Sequence, residues 1–251
     1  MEMKTYTILI GIDDTDNPNT RGTGYQSRQM AKVIHQSGLG RVKCITRHQL
    51  FFDPRVPYTS QNSSACLVVE TMYKDEIIKK CRDFLLDVAA EGSDVGLAVA
   101  DESFIDKTIL EWGRRTKIEL VSQIEAKQIA KSHNIYLEGL TGTKDGIIGA
   151  LAAIGLRKGG NDGRCIWLDG KEIRDLEGIY TAKELLDNIY IDSIVDLNNC
   201  NVNINSKISV GEWVRPAIVN NKITIFVESS NKNNEYEFQV ATKEYIKSIT
   251  D

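Results

Sequence analysis

A short apolar stretch near the amino terminus leads into a group of acids, and this combination constrains the fold most strongly. Residues 7–12 are rich in β-branched side chains and have the length of one strand. Three aspartates follow at once: Asp13, Asp14 and Asp16. A turn rich in Asn, Pro and Gly then leads to a helix expected over residues 25–36. The pattern predicts a buried strand with carboxylates at its carboxyl end, next to the start of a helix.

The three aspartates predict a metal ion. Carboxylates this close together repel one another unless a cation lies between them, and proteins bind Mg²⁺ mainly through oxygen ligands. We therefore expect Asp13, Asp14 and Asp16 to hold Mg²⁺, and Asp14 and Asp16 to act in catalysis.

The start of the following helix predicts a phosphate site. Exposed amides at a helix start attract phosphate, and here they belong to Gly22, Thr23 and Gly24. Arg21 and Arg28 add positive charge nearby. Metal and phosphate together indicate ATP as the cofactor. An acidic turn that merely caps a helix is the alternative, but such a turn does not need so many hydroxyl and guanidinium groups.

A second glycine-rich segment covers residues 138–155. A loop of Gly and Thr opens into a helix of small and apolar residues, which predicts a buried helix packed very close to its neighbours. Lys144 and Gly146 at its start offer another phosphate contact. The Walker A order is absent because Asp145 follows Lys144. A tightly packed core helix with an ordinary glycine start is the alternative.

Residues 51–62 break the regular pattern with two prolines and several polar side chains. This composition predicts a loop that forms a wall of the site, with Asn62 binding the cofactor. An ordinary proline-stiffened connection fits the same residues.

The remaining patterns predict a mixed α+β or α/β chain with two lobes and an extension. Residues 1–63 plus 136–170 are expected to form a kinase-like lobe that binds ATP and Mg²⁺. Residues 64–135 are expected to form a ferredoxin-like βαβ lobe. The β-rich extension covers residues 171–251 and is predicted to end in an antiparallel meander.

The meander has three predicted strands, over residues 212–218, 222–228 and 236–240. Asn220 and Asn221 between the first two predict a hairpin turn. Trp213 and Arg215 lie in the first strand, where a binding role and plain packing remain equally open.

Composition limits the possible partners. The formal charge is −4 and the pI about 5.6, so no dedicated nucleic-acid-binding module is expected and any RNA contact needs a local basic patch. Five scattered cysteines without a Cys-x-x-Cys pair predict free thiols and a cytoplasmic location. No apolar run approaches the roughly 20 residues of a membrane span, so no membrane partner is expected. The oligomeric state is open.

Three segments together resemble the amino-terminal catalytic half of the archaeal 2-agmatinylcytidine synthetase that modifies an isoleucine tRNA. They are residues 11–16 (Gly-Ile-Asp-Asp-Thr-Asp), 54–62 (beginning Pro-Arg-Val-Pro-Tyr-Thr) and 146–155. That family uses ATP to phosphorylate a cytidine base, and agmatine then displaces the phosphate. The resemblance implies an ATP-dependent kinase-like core, Mg²⁺ on the three aspartates, and a phosphorylated threonine at Thr23.

The chain departs from the family pattern in two places. The family reads Met-Cys-Thr-Thr-Tyr where this chain has Arg-Gly-Thr-Gly-Tyr at residues 21–25. The OB domain and zinc ribbon that carry tRNA in the family have no matching pattern here. The resemblance therefore implies the ATP-handling core rather than tRNA modification itself.

The leading hypothesis is a Mg²⁺-dependent, ATP-binding, kinase-like enzyme that activates a small molecule or a nucleobase by phosphoryl transfer. One alternative is a non-catalytic nucleotide-binding regulator, and another is an RNA-modifying enzyme that acts with a partner. Pro18 argues against an aspartyl phosphatase built on residues 14–16. A missing third glycine after residues 22–24 argues against a dinucleotide-binding oxidoreductase.

Overall fold

The computed structural model describes residues 5–59, 61–211, 213–230 and 235–251. Its internal contacts divide the chain into two units, residues 1–159 and residues 160–251, called unit 1 and unit 2 below. Both units mix helices with mostly antiparallel strands, so the predicted mixed α+β class is confirmed. No helix in the described ranges has both the length and the apolar character needed to span a bilayer.

The described part of unit 1 contains five antiparallel strands. They are β1 (Tyr6–Asp13), β2 (Gly40–Gln49), β3 (Ser63–Thr71), β4 (Gly96–Asp101) and β5 (Tyr136–Gly139). Their order across the sheet is β5-β4-β1-β3-β2. Strand β1 is therefore central, and Ile8, Leu9, Ile10 and Ile12 are almost completely buried. The predicted acid-bearing strand is confirmed as the middle of a sheet.

Among the residues described in unit 1, five α-helices cover the two faces of this sheet. They are α1 (Thr23–Gln36), α2 (Lys74–Val88), α3 (Lys107–Arg115), α4 (Gln123–Ser132) and α5 (Gly146–Gly159). Helix α1 packs on β2, β3 and α2, whereas α5 packs on β1, β3 and β4 beneath α3 and α4. Strand β1 is buried because side chains alternate between these two layers.

Helix α5 lies unusually close to both the sheet and helix α3. A Cβ atom added at Gly11 of β1 would lie 1.9 Å from the carbonyl oxygen of Ala150, and one at Gly155 of α5 would lie 2.1 Å from that of Ile109. Only glycine leaves room for such backbone contacts. The predicted buried, closely packed helix is confirmed.

Unit 2 is built mainly of short strands. They are β6 (Arg164–Leu168), β7 (Lys171–Glu172), β8 (Gly178–Thr181), β9 (Ser193–Asp196), β10 (Lys207–Gly211), β11 (Ala217–Val219), β12 (Lys222–Ser229) and β13 (Phe238–Val240). The order is β6-β11-β12-β13-β10-β8, with β7 paired to β6 and β9 paired to β12. Helices α6 (Ala182–Ile189) and α7 (Lys243–Thr250) complete the unit.

The predicted meander is confirmed in β11, β12 and β13, which pair antiparallel. Asn220 and Asn221 both have positive φ, 51° and 63°, as the predicted two-residue hairpin requires. The first strand begins only at Ala217 because Pro216 cannot donate a ladder hydrogen bond. Glu212, where that strand was expected to begin, lies outside the described residues.

The division of the chain differs from the predicted lobes. Strand β1 lies between β3 and β4, so residues 1–63 and 64–135 contribute to one sheet instead of forming separate lobes. Residues 160–170, assigned to the kinase-like lobe, belong to unit 2. Single-strand patterns do not reveal which strands pair, and this explains the difference.

Candidate functional site

A cavity of about 220 Å³ lies in unit 1 at the carboxyl end of β1. Six of the predicted site residues line it: Asp13, Asp14, Asp16, Thr23, Asn62 and Gly146. Segments remote in sequence therefore meet here, as the sequence patterns predict. Asp145, Glu119, Arg55 and Gly149 also line the cavity but were not predicted.

The other predicted residues do not line the cavity, and these are Arg21, Gly22, Gly24, Arg28 and Lys144. The Arg21 guanidinium lies over the ring of Tyr25, 4.5 Å from its centre. Buried Arg28 donates a hydrogen bond of 2.8 Å to the carbonyl oxygen of Gly24. Lys144 has a left-handed φ of 70° and packs its side-chain stem against Gly139. Local packing therefore holds these cations away from the cavity.

Asp13 is held in a space shaped by glycine. A Cβ atom at Gly149 of α5 would lie 1.8 Å from Oδ2 of Asp13, so the carboxylate occupies the volume that a larger residue would fill. Burial, followed by the charge of Asp14, keeps the pKa of Asp13 well above its usual value. A nearby cation would relieve both effects.

Asp14 turns the chain at the end of β1 with a left-handed φ of 53°. Burial and the charges of Asp94 and Asp16 raise the pKa of Asp14 to about 6. Asp145 adds a smaller repulsion. Strained backbone at a site of like charges indicates a position maintained for binding rather than for stability.

Asp94 and Asp145 are site acids that sequence reasoning missed. The Asp94 carboxylate accepts a short hydrogen bond from the Thr143 amide, and its carbonyl oxygen accepts one of 2.8 Å from Gly146. Asp145 accepts from the Thr143 hydroxyl at 2.9 Å. The one available signal was the position of Asp145 at a glycine-flanked helix start. No sequence pattern points to Asp94, because the pairing of β4 with β1 is what brings it to the site.

Both carboxylate oxygens of Asp16 accept hydrogen bonds within the chain. One oxygen accepts hydrogen bonds from the Thr23 amide at 3.2 Å and the Thr23 hydroxyl at 3.4 Å, and the other accepts from the Thr59 hydroxyl at 2.7 Å. Asp16 therefore caps α1 and ties the loop of residues 51–62 to it. These contacts match the capping alternative for this one aspartate.

The loop of residues 51–62 forms one wall of the cavity, as predicted. The side-chain amide of Asn62 donates a hydrogen bond of 2.7 Å to the carbonyl oxygen of Phe51. The backbone amide of Phe51 donates one of 3.0 Å to the carbonyl oxygen of Thr116. Arg55 forms a two-point ion pair with Asp53 and lowers the pKa of that carboxyl to about 2. Asn62 holds the loop, and Arg55 is the basic residue that lines this cavity among the described residues.

At both predicted helix starts, some of the amide donors already form hydrogen bonds within the chain. Asp16 accepts the Thr23 amide at the start of α1. At the start of α5 the amide of Gly146 donates a hydrogen bond to the carbonyl oxygen of Asp94. The amide of Ile148 donates one of 3.0 Å to the carbonyl oxygen of Asp145. A phosphate at either helix start has to replace one of these contacts.

A metal site formed by side chains alone is not present in the described part of the chain, where no three His, Cys, Asp or Glu side chains are grouped closely enough to hold an ion. Asp13 and Asp14 nevertheless supply oxygen ligands without an ion-pair partner among the described residues. Mg²⁺ commonly uses one or two carboxylates together with phosphate oxygens and water. The donor set therefore fits a metal that arrives with a phosphate ligand.

Among the comparisons with known proteins, no family model matches the chain. An uncharacterised protein of Methanocaldococcus jannaschii, MJ0921, is 33% identical over 159 residues, which cover 61% of this chain and 51% of that protein. The isoleucine-tRNA 2-agmatinylcytidine synthetase TiaS of Pyrococcus horikoshii is 30% identical over 160 residues, 59% of this chain and 35% of TiaS. The chain thus spans about half or less of these relatives.

Solved structures share the fold. The complex of TiaS with its isoleucine tRNA and ATP superposes with a TM-score of 0.54 at 22% identity, covering 60% of this chain and 36% of TiaS. The amino-terminal part of the chain resembles TiaS. Apo TiaS gives a TM-score of 0.52 at 21% identity, over 59% of this chain and 35% of that one. At such identities the structures establish a TiaS-like fold.

Proposed function

We propose that unit 1 binds ATP as its Mg²⁺ complex and transfers a phosphoryl group, as the ATP-dependent part of an RNA-modifying enzyme. The observation that carries this proposal is the meeting of Asp13, Asp14 and Asp145 in one cavity at the end of a central strand. The likeness to TiaS, which was solved with tRNA and ATP, supports the choice of nucleotide.

The charge of the cavity makes the proposal specific. Acidic lining residues outnumber Arg55, which is already paired with Asp53. A free triphosphate is repelled by such a surface, whereas a Mg²⁺ ion held by both the carboxylates and the phosphates would offset this repulsion. ATP binding is therefore expected to depend strictly on the metal.

The proposed reaction is activation of a nucleobase carbonyl. The carbonyl oxygen attacks the γ-phosphorus of ATP, the bond from that phosphorus to the β–γ bridging oxygen breaks, and ADP leaves. An amine then displaces the phosphate from the base. Bound Mg²⁺ supplies charge neutralisation for the phosphates. Asp13 and Asp14 hold the metal complex at the end of β1, and the acidic wall also favours a cationic amine.

Thr23 and Asp16 have supporting roles in this proposal. They fix the start of α1 and connect it through Thr59 to the loop wall. The ATP-handling role is assigned to unit 1 as a whole, because residues 1–63 and 64–135 contribute to one sheet.

Calorimetric titration with ATP, in the presence of Mg²⁺ and then of a chelator, tests the proposal. We expect binding only with the metal, and an affinity loss of about tenfold or more in Asp14→Asn. Asp87→Asn removes a similar charge from the exposed face of α2 and is expected to bind normally. Equal affinity in the chelator, or in Asp14→Asn, contradicts the proposal.

A nucleotide-binding regulator is the second candidate. The observation that favours it is the internal hydrogen bonding at the starts of α1 and α5, which leaves few amides for a transferring phosphate. Measuring ADP release with unmodified RNA and an amine present separates the two. Tight Mg²⁺-ATP binding without any ADP supports the regulator.

A further inference from the structure

Unit 2 carries an exposed aromatic side chain with two arginines over its ring. Trp213 is 41% exposed, whereas Trp112 and Trp167 are buried. The guanidinium of Arg174 lies 4.5 Å from the centre of the indole, and that of Arg215 lies 4.3 Å from it. Arg215 also donates a hydrogen bond of 2.9 Å to the carbonyl oxygen of Trp213. We refer to Arg174, Trp213 and Arg215 as the arginine–tryptophan cluster.

The cluster concentrates positive charge in an acidic unit. Residues 160–251 contain ten Lys and Arg and fifteen Asp and Glu, a formal charge of −5. The same stretch has three arginines, and all of them are close to this point, because the charge of Arg164 acts on Arg215. Arg164 itself faces Asp251 at 3.5 Å. Packing alone does not require this gathering of like charges.

Burial and a second positive charge both act on Arg215. Burial, followed by the charge of Arg164, lowers the pKa of Arg215, while Glu244 has a smaller opposing effect. Like charges held together in this way are stabilised by a negatively charged ligand. An anion bound here therefore gains more than it would at an isolated surface arginine.

The geometry also selects the kind of anion. A guanidinium held against an indole keeps a planar set of N–H donors that fits phosphate oxygens. Aromatic rings and guanidinium planes are surfaces on which nucleobases stack. Single strands offer phosphates and accessible base faces together, whereas a duplex hides its bases and an acidic peptide lacks them.

We propose that the arginine–tryptophan cluster of unit 2 binds single-stranded nucleic acid, with a base stacked on the cluster and adjacent phosphates paired with Arg174 and Arg215. The site lies outside the TiaS-like part of the chain and does not use the ATP cavity. The inference therefore goes beyond the proposed function and can fail without affecting it.

Binding of an oligouridine of about 12 nucleotides to the full chain, followed by fluorescence anisotropy, tests the inference. We expect Trp213→Ala to weaken binding about tenfold or more, and Trp213→Phe, which keeps a ring, to retain most of the affinity. Arg174→Ala is expected to reduce the slope of log affinity against log salt concentration by about one, which corresponds to one released counterion. Tryptophan emission of the unchanged protein should fall on binding, because Trp213 is the exposed indole.

Controls separate this site from general charge effects. Lys183→Ala removes one positive charge from α6, where Lys183 pairs with Asp187, and should leave affinity unchanged. Circular dichroism confirms that each variant is folded, and unchanged Mg²⁺-ATP binding in Trp213→Ala keeps the two sites distinct. The inference is overturned if the oligouridine does not bind, or binds Trp213→Ala equally well. Tighter binding of duplex RNA, uridine monophosphate or polyglutamate overturns it as well.

Discussion

Gly149 is the residue on which the shape of the acid cavity depends most directly. Gly149→Ala places a methyl group 1.8 Å from the Asp13 carboxylate, so we expect a loss of about 1–3 kcal/mol in unfolding free energy together with weaker Mg²⁺-ATP binding. Gly155→Ala clashes with the Ile109 carbonyl instead and should lose stability while the cavity keeps its acids. Gly159→Ala meets nothing within 4 Å and should be neutral or slightly stabilising. Chemical denaturation and calorimetry of the three variants provide the comparison.

Thr23 offers a second test at the scale of one residue. It is 5% exposed, and its hydroxyl accepts a hydrogen bond of 3.2 Å from Thr15 and faces the Asp16 carboxylate. A phosphate there would bring further negative charge against Asp16. We therefore expect Thr23 to stay unmodified after incubation with Mg²⁺-ATP, unlike the phosphothreonine that the family resemblance implies. Intact-mass measurement decides, and a phosphate mapped to Thr23 would show that this segment opens.

Helix α1 depends on an aspartate seven residues before its first residue. Asp16→Ala removes the cap and the tether to Thr59, so we expect a loss of about 1 kcal/mol in stability and weaker ATP binding. The matched variant is Asp106→Ala, which removes the cap of α3. In the unchanged protein the Asp106 carboxylate accepts a hydrogen bond of 2.9 Å from the Thr108 amide. It should lower stability but leave ATP binding intact. Equal ATP affinities in both variants would show that Asp16 is structural only.

Elements with strong local signals were predictable. The β-branched run of β1, the glycine-rich α5 and the Asn220–Asn221 hairpin all follow from residue type and spacing. Strands β5, β7, β8, β9 and β10 were missed because strands of two to five residues are defined mainly by their partners. Asp94 was missed for the same reason, since the pairing of β4 with β1 brings it to the site.

Thiol chemistry provides a test at the scale of the whole molecule. Cys44, Cys66, Cys81 and Cys165 are buried and Cys200 is exposed. Burial raises the pKa of Cys81 to about 12 and that of Cys66 further, so both stay protonated and unreactive at mildly alkaline pH. We expect one fast-reacting thiol in the native protein, lost in Cys200→Ser, and five after unfolding. More than one fast thiol in the native state would contradict the described core.

The most direct measurement is a crystal structure of the full chain grown with Mn²⁺ and a non-hydrolysable ATP analogue. Anomalous scattering then locates the metal independently of the protein phases. The proposed Mg²⁺-ATP site predicts Mn²⁺ bonded at about 2.0–2.6 Å to Asp13 or Asp14, with the triphosphate in the cavity between β1 and the start of α5. A nucleotide bound elsewhere, or a metal remote from both aspartates, would contradict it.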